Sequence, residues 1–373
     1  MKLLYLSPNF LNYTASLYQL NTYKYLDKYC QLILWGPGFK DFDQKLSLSD
    51  VVSKFKLSKN DAICVGHGWL SDLPLNQNNN NQYSGYSWIK KNGIKLNFNI
   101  LEFCKEYDFN EFNGKKIAIL NKEYVSLDKK LEFIKKNNFN LVLCLNPNYK
   151  KYENKIGIEF KFWPNAVDHI LFNKKNDYKY DLCFSGLIQN YNLENNSKNI
   201  NKMRLSILKK IFLQFGGIKI LKKSNFKNYK IFWNSFSGRR YFDLVLKFTR
   251  QYRYLNYDQY LQILSNSKST INTLGPSGLI GPRYFESMLS NSVCFAEESS
   301  LYEGIFIENE NYVSFKNDLS DFNEKLNFAT SDSKEINKIK VKYPKVIGEI
   351  RGLGLMVGLK MLVDNTEFMK KLM

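Results

Sequence analysis

Short apolar segments alternate with segments of helical periodicity along the first half of the chain. Runs rich in Leu, Ile and Val predict buried strands, and the patterns between them predict helices. The predicted strands are residues 2–6, 31–35, 62–65, 116–120 and 141–145, and the predicted helices are residues 14–26 and 126–137. Strands that alternate with helices at this spacing are typical of a parallel, doubly wound sheet.

A second series of the same kind follows a hydrophilic run at residues 173–179. Its predicted strands are residues 180–184, 218–221, 269–274 and 293–296, and its predicted helices are residues 203–215, 257–265 and 283–290. We therefore predict an α/β protein with two Rossmann-like lobes, whose parallel sheets face a central cleft. The predicted domains are residues 1–172, residues 173–335 and an atypical tail at residues 336–373.

Composition excludes several classes of protein. With 44% hydrophobic residues, the chain can bury real cores and is not a disordered polymer. No apolar run approaches the ~18 residues of a membrane-spanning helix, and the apolar start is too short for a signal peptide. The six cysteines are far apart and only two histidines occur, so neither a disulfide framework nor a zinc site is indicated. We expect a cytoplasmic protein without cofactor or required metal.

The formal net charge of +19 raises the question of an anionic partner. Of the 54 basic residues only seven are arginine, and an excess of lysine beside many Asn, Ile, Phe and Tyr is typical of an AT-biased genome. Because arginine is the better bidentate phosphate ligand, the charge total does not favour nucleic acid. Residues 239–260, where arginines alternate with aromatic side chains, could bind donor phosphate, an anionic lipid-linked acceptor or single-stranded nucleic acid, or could form an amphipathic helix with a solvated basic face. A peripheral contact with an anionic membrane surface is left open as well.

The most informative segment is a glycine-bearing loop at the end of a predicted strand. Gly275, Gly278 and Gly281 lead into a predicted helix that begins around Pro282 and Arg283. Such a helix start directs free N–H groups and a positive dipole toward the carboxyl edge of the sheet, which predicts an anion site. Glu286, one helical turn later, is placed to accept hydrogen bonds from sugar hydroxyls. The alternative is a helix-surface ion pair between Arg283 and Glu286.

Several segments resemble one enzyme family. These are residues 260–268, 282–286, 302–306 and 312–315, and, further upstream, residues 116–123, 162–169 and 180–186. Together they resemble GT-B glycosyltransferases, and most of all the glycosyl-transferase-like group related to the CgeB spore protein. The resemblance covers about residues 110–330. It implies a GT-B fold, a nucleotide-sugar donor bound mainly by the second lobe, and an acceptor held by the first.

The resemblance also implies a role for Glu286, because the matching glutamate of the family typically holds the ribose of the donor nucleotide. Retaining enzymes of related families carry another glutamate eight residues earlier, where this chain has Gly278. The stereochemistry of transfer is therefore left open. A catalytically inactive GT-B-like protein that binds nucleotide sugar, polysaccharide or nucleic acid is the alternative to an active enzyme.

Two further places are candidate sites. Ser185 and Gly186, at the first strand of the second lobe, could let a diphosphate approach backbone amides, or could form a tight turn. His67 follows a predicted strand between two glycines, and it or Asp72 could take the proton of the acceptor hydroxyl. The alternative for His67 is a turn histidine bonded to local backbone.

The tail carries a second, separate resemblance. Residues 344–363 resemble a glycine-punctuated segment of the small C-terminal domain of class III, acetylornithine-type aminotransferases. No cofactor-lysine domain accompanies this segment, so the resemblance implies no transamination. The Asp41-Phe42-Asp43 triplet matches the metal-binding DxD signature of GT-A glycosyltransferases, but its place near the amino terminus favours a surface loop.

Overall fold

A computed structural model describes most of the two predicted lobes. The described residues are 1–7, 9, 22–24, 26–66, 104, 107–120, 123, 127–164, 167, 178–187, 202–215, 218–221, 226, 228–236, 255–275, 278–331 and 336. They fall into two compact units, one ending at residue 166 and the other beginning at residue 167. The boundary predicted after residue 172 lies outside the described residues.

The first unit contains a six-stranded sheet. Its strands are β1 (Lys2–Leu6), β2 (Gln31–Trp35), β3 (Ala62–Val65), β4 (Lys115–Leu120), β5 (Leu141–Cys144) and β6 (Glu159–Phe162). The spatial order is β2-β1-β3-β4-β5-β6, and all neighbours are parallel. Continuous apolar strands such as β3 and β5 are buried throughout, as a sheet covered on both faces requires.

Three helices pack on one face of this sheet. They are α1 (Leu48–Lys54), α2 (Leu127–Lys136) and α3 (Lys150–Ile156). Alternate strand residues share a core with them, because successive side chains of a strand point to opposite faces. This core includes Leu4, Leu6, Ile63, Val65, Val51, Leu131, Ile134, Val142 and Tyr152. Helix α1 starts at a capping box formed by Ser47 and Asp50.

The second unit contains a five-stranded parallel sheet. Its strands are β7 (Tyr180–Leu187), β10 (Ile231–Phe236), β11 (Ser267–Asn272), β12 (Val293–Glu297) and β13 (Tyr312–Phe315). The spatial order is β10-β7-β11-β12-β13. The chain order therefore reverses direction beside β7, and in such sheets ligands bind at the carboxyl ends of the strands at this switch point.

Helices cover both faces of the second sheet. These are α4 (Lys202–Ile211), α5 (Tyr257–Ser265), α6 (Pro282–Leu289) and α7 (Phe322–Thr330). Helix α5 packs against Cys183 of β7, whereas Phe184, the next residue, belongs to the main core with α4, α6 and α7. Phe295 of β12 lies at the centre of this core, with ring centroids 4.8 Å from Phe315 and 5.2 Å from Phe322.

The structure confirms the predicted strands at the start of each lobe, and α2, α5 and α6 lie within one residue of their predicted bounds. One prediction is wrong at its end. The helix predicted over residues 203–215 stops at Ile211, and Phe212–Phe215 forms β8, which pairs antiparallel with β9 (Ile218–Leu221). Strand β7 continues to Leu187, beyond the predicted end at residue 184.

Candidate functional site

The N-terminal end of α6 has no capping side chain. Gly281 is the N-cap and offers no side-chain cap, Pro282 occupies the first turn, and that turn carries no acidic residue. A Cβ atom placed on Gly281 would meet nothing within 4 Å. The positive end of the helix dipole is therefore neither capped nor neutralised by the helix itself.

Gly278 has a different, structural reason to be glycine. Its φ is +82°, a left-handed conformation, and a Cβ atom there would lie 2.3 Å from a methyl carbon of Leu301. The N–H of Gly275 donates to the carbonyl of Leu279 at 2.7 Å, and the N–H of Gly278 donates to the carbonyl of Gly275 at 3.2 Å. These described residues before α6 are thus hydrogen-bonded to one another.

Arg283 lies against strand β7, where the sequence placed another candidate. Its guanidinium carbon is 5.0 Å from the centroid of the Phe184 ring, a cation–π distance. A Cβ atom on Gly186 would lie 2.3 Å from Nη2 of Arg283, so the missing side chain of Gly186 makes room for the guanidinium. The Nε atom of Arg283 is buried and has no hydrogen-bond partner in the described part of the chain. The cation is held in place with hydrogen-bonding capacity to spare.

Ser185 and Gly186 lie within β7 and do not form a tight turn. Both pair with β10, Ser185 opposite Asn234 and Gly186 opposite Ser235. The Asn234 side chain donates to the hydroxyl of Ser185 at 3.2 Å. Because this strand is the one at the switch point, Gly186 and Arg283 meet where a ligand of a doubly wound sheet is expected.

Glu286 is buried, with 7% of its surface exposed, and is held by two tyrosines of α5. Tyr260 donates to Oε2 at 2.8 Å and Tyr257 donates to Oε1 at 3.3 Å. Burial raises the pKa of the Glu286 carboxyl, while the hydrogen bond from Tyr260 and the charge of Arg283 act in the opposite direction. The same burial and the nearby carboxylate raise the pKa of Tyr260 well above its ordinary value.

The surface ion pair considered as an alternative is absent between these described residues. The Glu286 carboxylate accepts from tyrosine hydroxyls, and Arg283 lies over Phe184. The two charges interact only at longer range. A buried carboxylate with two hydroxyl donors keeps lone pairs for further hydroxyl groups.

The structure adds side chains that the sequence reasoning missed. Tyr257 and Tyr260 contact Glu286, and Phe184 supports Arg283. The signal for the tyrosines was their spacing of three residues on one predicted helix, which places them on the same face. Glu297, at the carboxyl end of β12, also belongs to this edge of the sheet.

The candidates of the first lobe, His67 and Asp72, lie outside the described residues and stay predictions. So do residues 239–254 of the basic aromatic stretch and residues 337–373 of the tail. Gly66, the last described residue before His67, donates its N–H to the carbonyl of Leu6 at 2.8 Å. A Cβ atom on Gly66 would lie 2.1 Å from the ring of Tyr5.

Within the described ranges, no group of three or more His, Cys, Asp and Glu residues could hold a metal ion. The Asp41–Asp43 triplet lies on the surface, where Phe42 packs edge-on against Trp35 and Asp43 accepts the N–H of Lys45 at 2.9 Å. None of the helices described is long and apolar enough to cross a membrane.

Comparison with protein families matches residues 225–343 to a model described as glycosyl transferase-like. Comparison with curated protein sequences found no match.

Solved structures match over nearly the whole chain. A glycosyltransferase from Rickettsia africae has 10% identity and a TM-score of 0.55, with 99% of this chain and 98% of that chain covered. The DNA-modifying enzyme β-glucosyltransferase, solved with and without uridine diphosphoglucose, has 10% identity and a TM-score of 0.54, with coverages of 98% and 100%. HepE of Anabaena in complex with UDP-glucose has 10% identity and a TM-score of 0.54, with coverages of 97% and 99%.

The chain has the GT-B fold, with two Rossmann-like lobes built on parallel sheets. The cleft expected between the lobes stays a prediction, as does the narrower similarity to the CgeB-related group. At this level of identity the neighbours establish the fold alone.

Proposed function

We propose that this protein is a glycosyltransferase that moves a sugar from a nucleotide-diphosphate sugar to an acceptor. The observation that carries the proposal is the guanidinium of Arg283, fixed against Phe184 and Gly186 beside the uncapped start of α6. The family match at residues 225–343 and the GT-B fold support it.

In this proposal the second lobe stabilises the leaving group. The bond between the anomeric carbon and the phosphate oxygen breaks, and negative charge grows on the departing diphosphate. Arg283 and the N-terminus of α6 provide fixed positive charge at that place, and preorganised charge of this kind lowers a barrier without reorganisation. Because the protein supplies this charge itself, we propose that transfer does not require a divalent metal ion.

Glu286 would hold the nucleoside. Its carboxylate oxygens can each accept another hydrogen bond, which suits the two hydroxyl groups of a ribose. Tyr257 and Tyr260 fix the carboxylate by their own hydroxyl groups, so it is oriented before the donor arrives. We assign the acceptor proton to His67 or Asp72 as a proposal from the sequence.

We propose the acceptor by class only, as a glycan, a lipid-linked molecule or a protein. We propose a cytoplasmic enzyme whose net charge of +19 favours peripheral contact with an anionic membrane surface. Nucleic acid is not favoured, because few of the basic residues are arginine.

Titration calorimetry with UDP and GDP tests the donor site. We expect Arg283→Ala to weaken binding of the preferred nucleotide about thirtyfold, because a charge-assisted contact is lost. Lys209→Ala, which removes a positive charge from an exposed position of α4, should leave the affinity unchanged. Equal affinity of wild type and Arg283→Ala would show that the donor-site assignment is wrong.

A screen of nucleotide sugars, read by release of the nucleoside diphosphate, tests turnover. We expect one donor to be hydrolysed or transferred by wild type and not by Arg283→Ala. Tight donor binding without release in any mixture of donors and acceptors would favour the inactive binding protein instead.

A further inference from the structure

A polar group at the ends of β11 and β12 is not used by the donor contacts assigned above. Glu297 ends β12, and in the register of the two strands Ala296 is opposite Asn272, which brings Glu297 beside Thr273 and Leu274. The Arg204 guanidinium of α4 donates to the hydroxyl of Thr273 at 2.7 Å. A carboxylate, a hydroxyl and a guanidinium thus meet at the carboxyl edge of the second sheet.

The Glu297 carboxylate is anchored by one oxygen only. Oε1 accepts the N–H of Leu274 at 2.5 Å. Oε2 accepts no hydrogen bond from the described residues. It is accessible to solvent, although only 9% of the residue is exposed. One oxygen is therefore fixed by the protein, and the other reaches the surface with free lone pairs.

This carboxylate adjoins the loop that precedes Arg283. Leu274, which Glu297 holds, belongs to the segment of the chain between β11 and Gly281, the N-cap of α6. Arg283 lies over β7, whereas Glu297 ends β12, two strands away in the order β7-β11-β12. At about 4.8 Å per strand the two side chains belong to positions roughly 10 Å apart along the edge.

Charge decides what Glu297 can contact. A carboxylate repels the phosphates, which require the cationic end of the site at Arg283, and it accepts hydrogen bonds from hydroxyl groups. Burial raises its pKa to about 7, although the Leu274 N–H and the charge of Arg204 act against the shift. The proposed donor has hydroxyl groups in two places, the ribose and the transferred sugar. The ribose is assigned to Glu286, so the transferred sugar is the part that remains for Glu297.

We propose that Glu297, positioned by Leu274, accepts hydrogen bonds from hydroxyl groups of the transferred sugar and so contributes to donor-sugar specificity. This inference rests on the proposed function and adds the sugar subsite to it. Along the edge, Glu286 then serves the nucleoside, Arg283 the diphosphate and Glu297 the sugar.

The test compares nucleotides with and without the sugar. Titration calorimetry measures UDP against UDP-glucose and GDP against GDP-mannose. We expect Glu297→Gln to weaken binding of the preferred nucleotide sugar about tenfold and to leave binding of its nucleoside diphosphate within twofold. Glutamine keeps an oxygen for the Leu274 N–H, so the loop is preserved. Glu298→Gln removes a charge from the exposed neighbouring residue and should change neither affinity.

The outcomes separate this inference from the proposed function. Equal weakening of nucleotide and nucleotide sugar, or no weakening of either, would overturn the sugar subsite while the donor site stands. A wild-type protein that binds none of the four probes would overturn both. If Glu297→Gln does not fold, calorimetry on the wild type with the preferred nucleotide sugar and its deoxy-sugar analogues replaces it: the analogue that lacks the contacted hydroxyl group should bind about tenfold more weakly, and equal affinity for every analogue would overturn the sugar subsite.

Discussion

A mostly buried glutamate lies at the carboxyl edge of each sheet, and the two glutamates differ in whether a ligand could reach their free oxygen. In the first sheet, Glu123 follows β4 with 3% of its surface exposed; its Oε1 accepts from the Cys144 thiol at 3.4 Å, and its Oε2 is buried without a partner. In the second sheet, Glu297 also follows the core of a parallel strand, but its second oxygen is accessible. Both pKa values are raised by burial.

This difference teaches that position at a strand end does not by itself make a carboxylate a ligand-binding group. A ligand needs an atom that it can reach and that has bonding capacity left. Glu297 and Arg283 satisfy both conditions. Glu123 has bonding capacity left on Oε2, but that atom is buried and a ligand cannot reach it. For this reason the chemistry that can be argued from contacts lies in the second unit.

The largest effect should come from the pH dependence of stability at Glu297. Its pKa is raised from 4.5 in the unfolded chain to about 7 in the folded protein, so between these values the folded state holds a proton that the unfolded state has released. The free energy of unfolding therefore falls as pH rises through this window. The shift corresponds to about 3 kcal/mol.

Glu297→Gln lacks this titration. We expect its stability relative to wild type to increase by about 3 kcal/mol between pH 4 and pH 8 in urea unfolding. A constant difference between Glu297→Gln and wild type at all pH values would contradict the raised pKa.

An intermediate effect is expected from two glycines, one at each edge. In Gly66→Ala the new methyl group meets the ring of Tyr5, which is fully buried and packs edge-on against Tyr23 with ring centroids 5.1 Å apart, so overpacking should cost about 1–3 kcal/mol of unfolding free energy. In Gly186→Ala the methyl group meets the far end of the Arg283 side chain, which can rotate away. We expect that variant to keep its stability within about 1 kcal/mol and to bind the preferred nucleoside diphosphate about tenfold more weakly.

Urea unfolding measures the stability of both variants, and calorimetry measures their affinity for the nucleotide. Gly66→Ala should lose stability, whereas Gly186→Ala should lose affinity. The contrast between the edges fails if Gly66→Ala is as stable as wild type. It also fails if Gly186→Ala binds nucleotide as wild type does.

Local patterns were sufficient for most of the fold. Buried parallel strands read as short apolar runs, and the amphipathic segments between them read as helices. The error at residues 212–215 has a local cause too: Phe212, Leu213 and Phe215 continue the apolar character of α4. The following Gly216-Gly217, before a second apolar run, is a hairpin signal that outweighs helical continuation.

The candidate site was predictable only in part. Glycines, a proline and an arginine at the start of a helix have a local meaning, so Arg283 and Glu286 could be singled out from the sequence. The support of Arg283 by Phe184 depends on how α6 packs on β7, and the contact of Glu297 with Leu274 depends on strand register. Contacts of this kind join residues distant along the chain, and no local pattern encodes them.

The smallest effect should come from the tyrosines that hold Glu286. Tyr260→Phe removes the shorter hydrogen bond, at 2.8 Å, and Tyr257→Phe removes the longer one, at 3.3 Å. A hydrogen bond to a charged group contributes about 1.5–3 kcal/mol, and because the tyrosines act on the nucleotide only through Glu286, we expect part of this loss to reach binding: Tyr260→Phe should weaken binding of the preferred nucleoside diphosphate about fivefold, and Tyr257→Phe less. Since the hydrogen bond from Tyr260 lowers the pKa of Glu286, its loss raises that pKa further. The loss of nucleotide affinity on acidification should therefore begin at higher pH in Tyr260→Phe, which calorimetry across pH 5–8 would measure. An unchanged pH profile in both variants would mean that the Glu286 carboxylate does not contact the nucleotide.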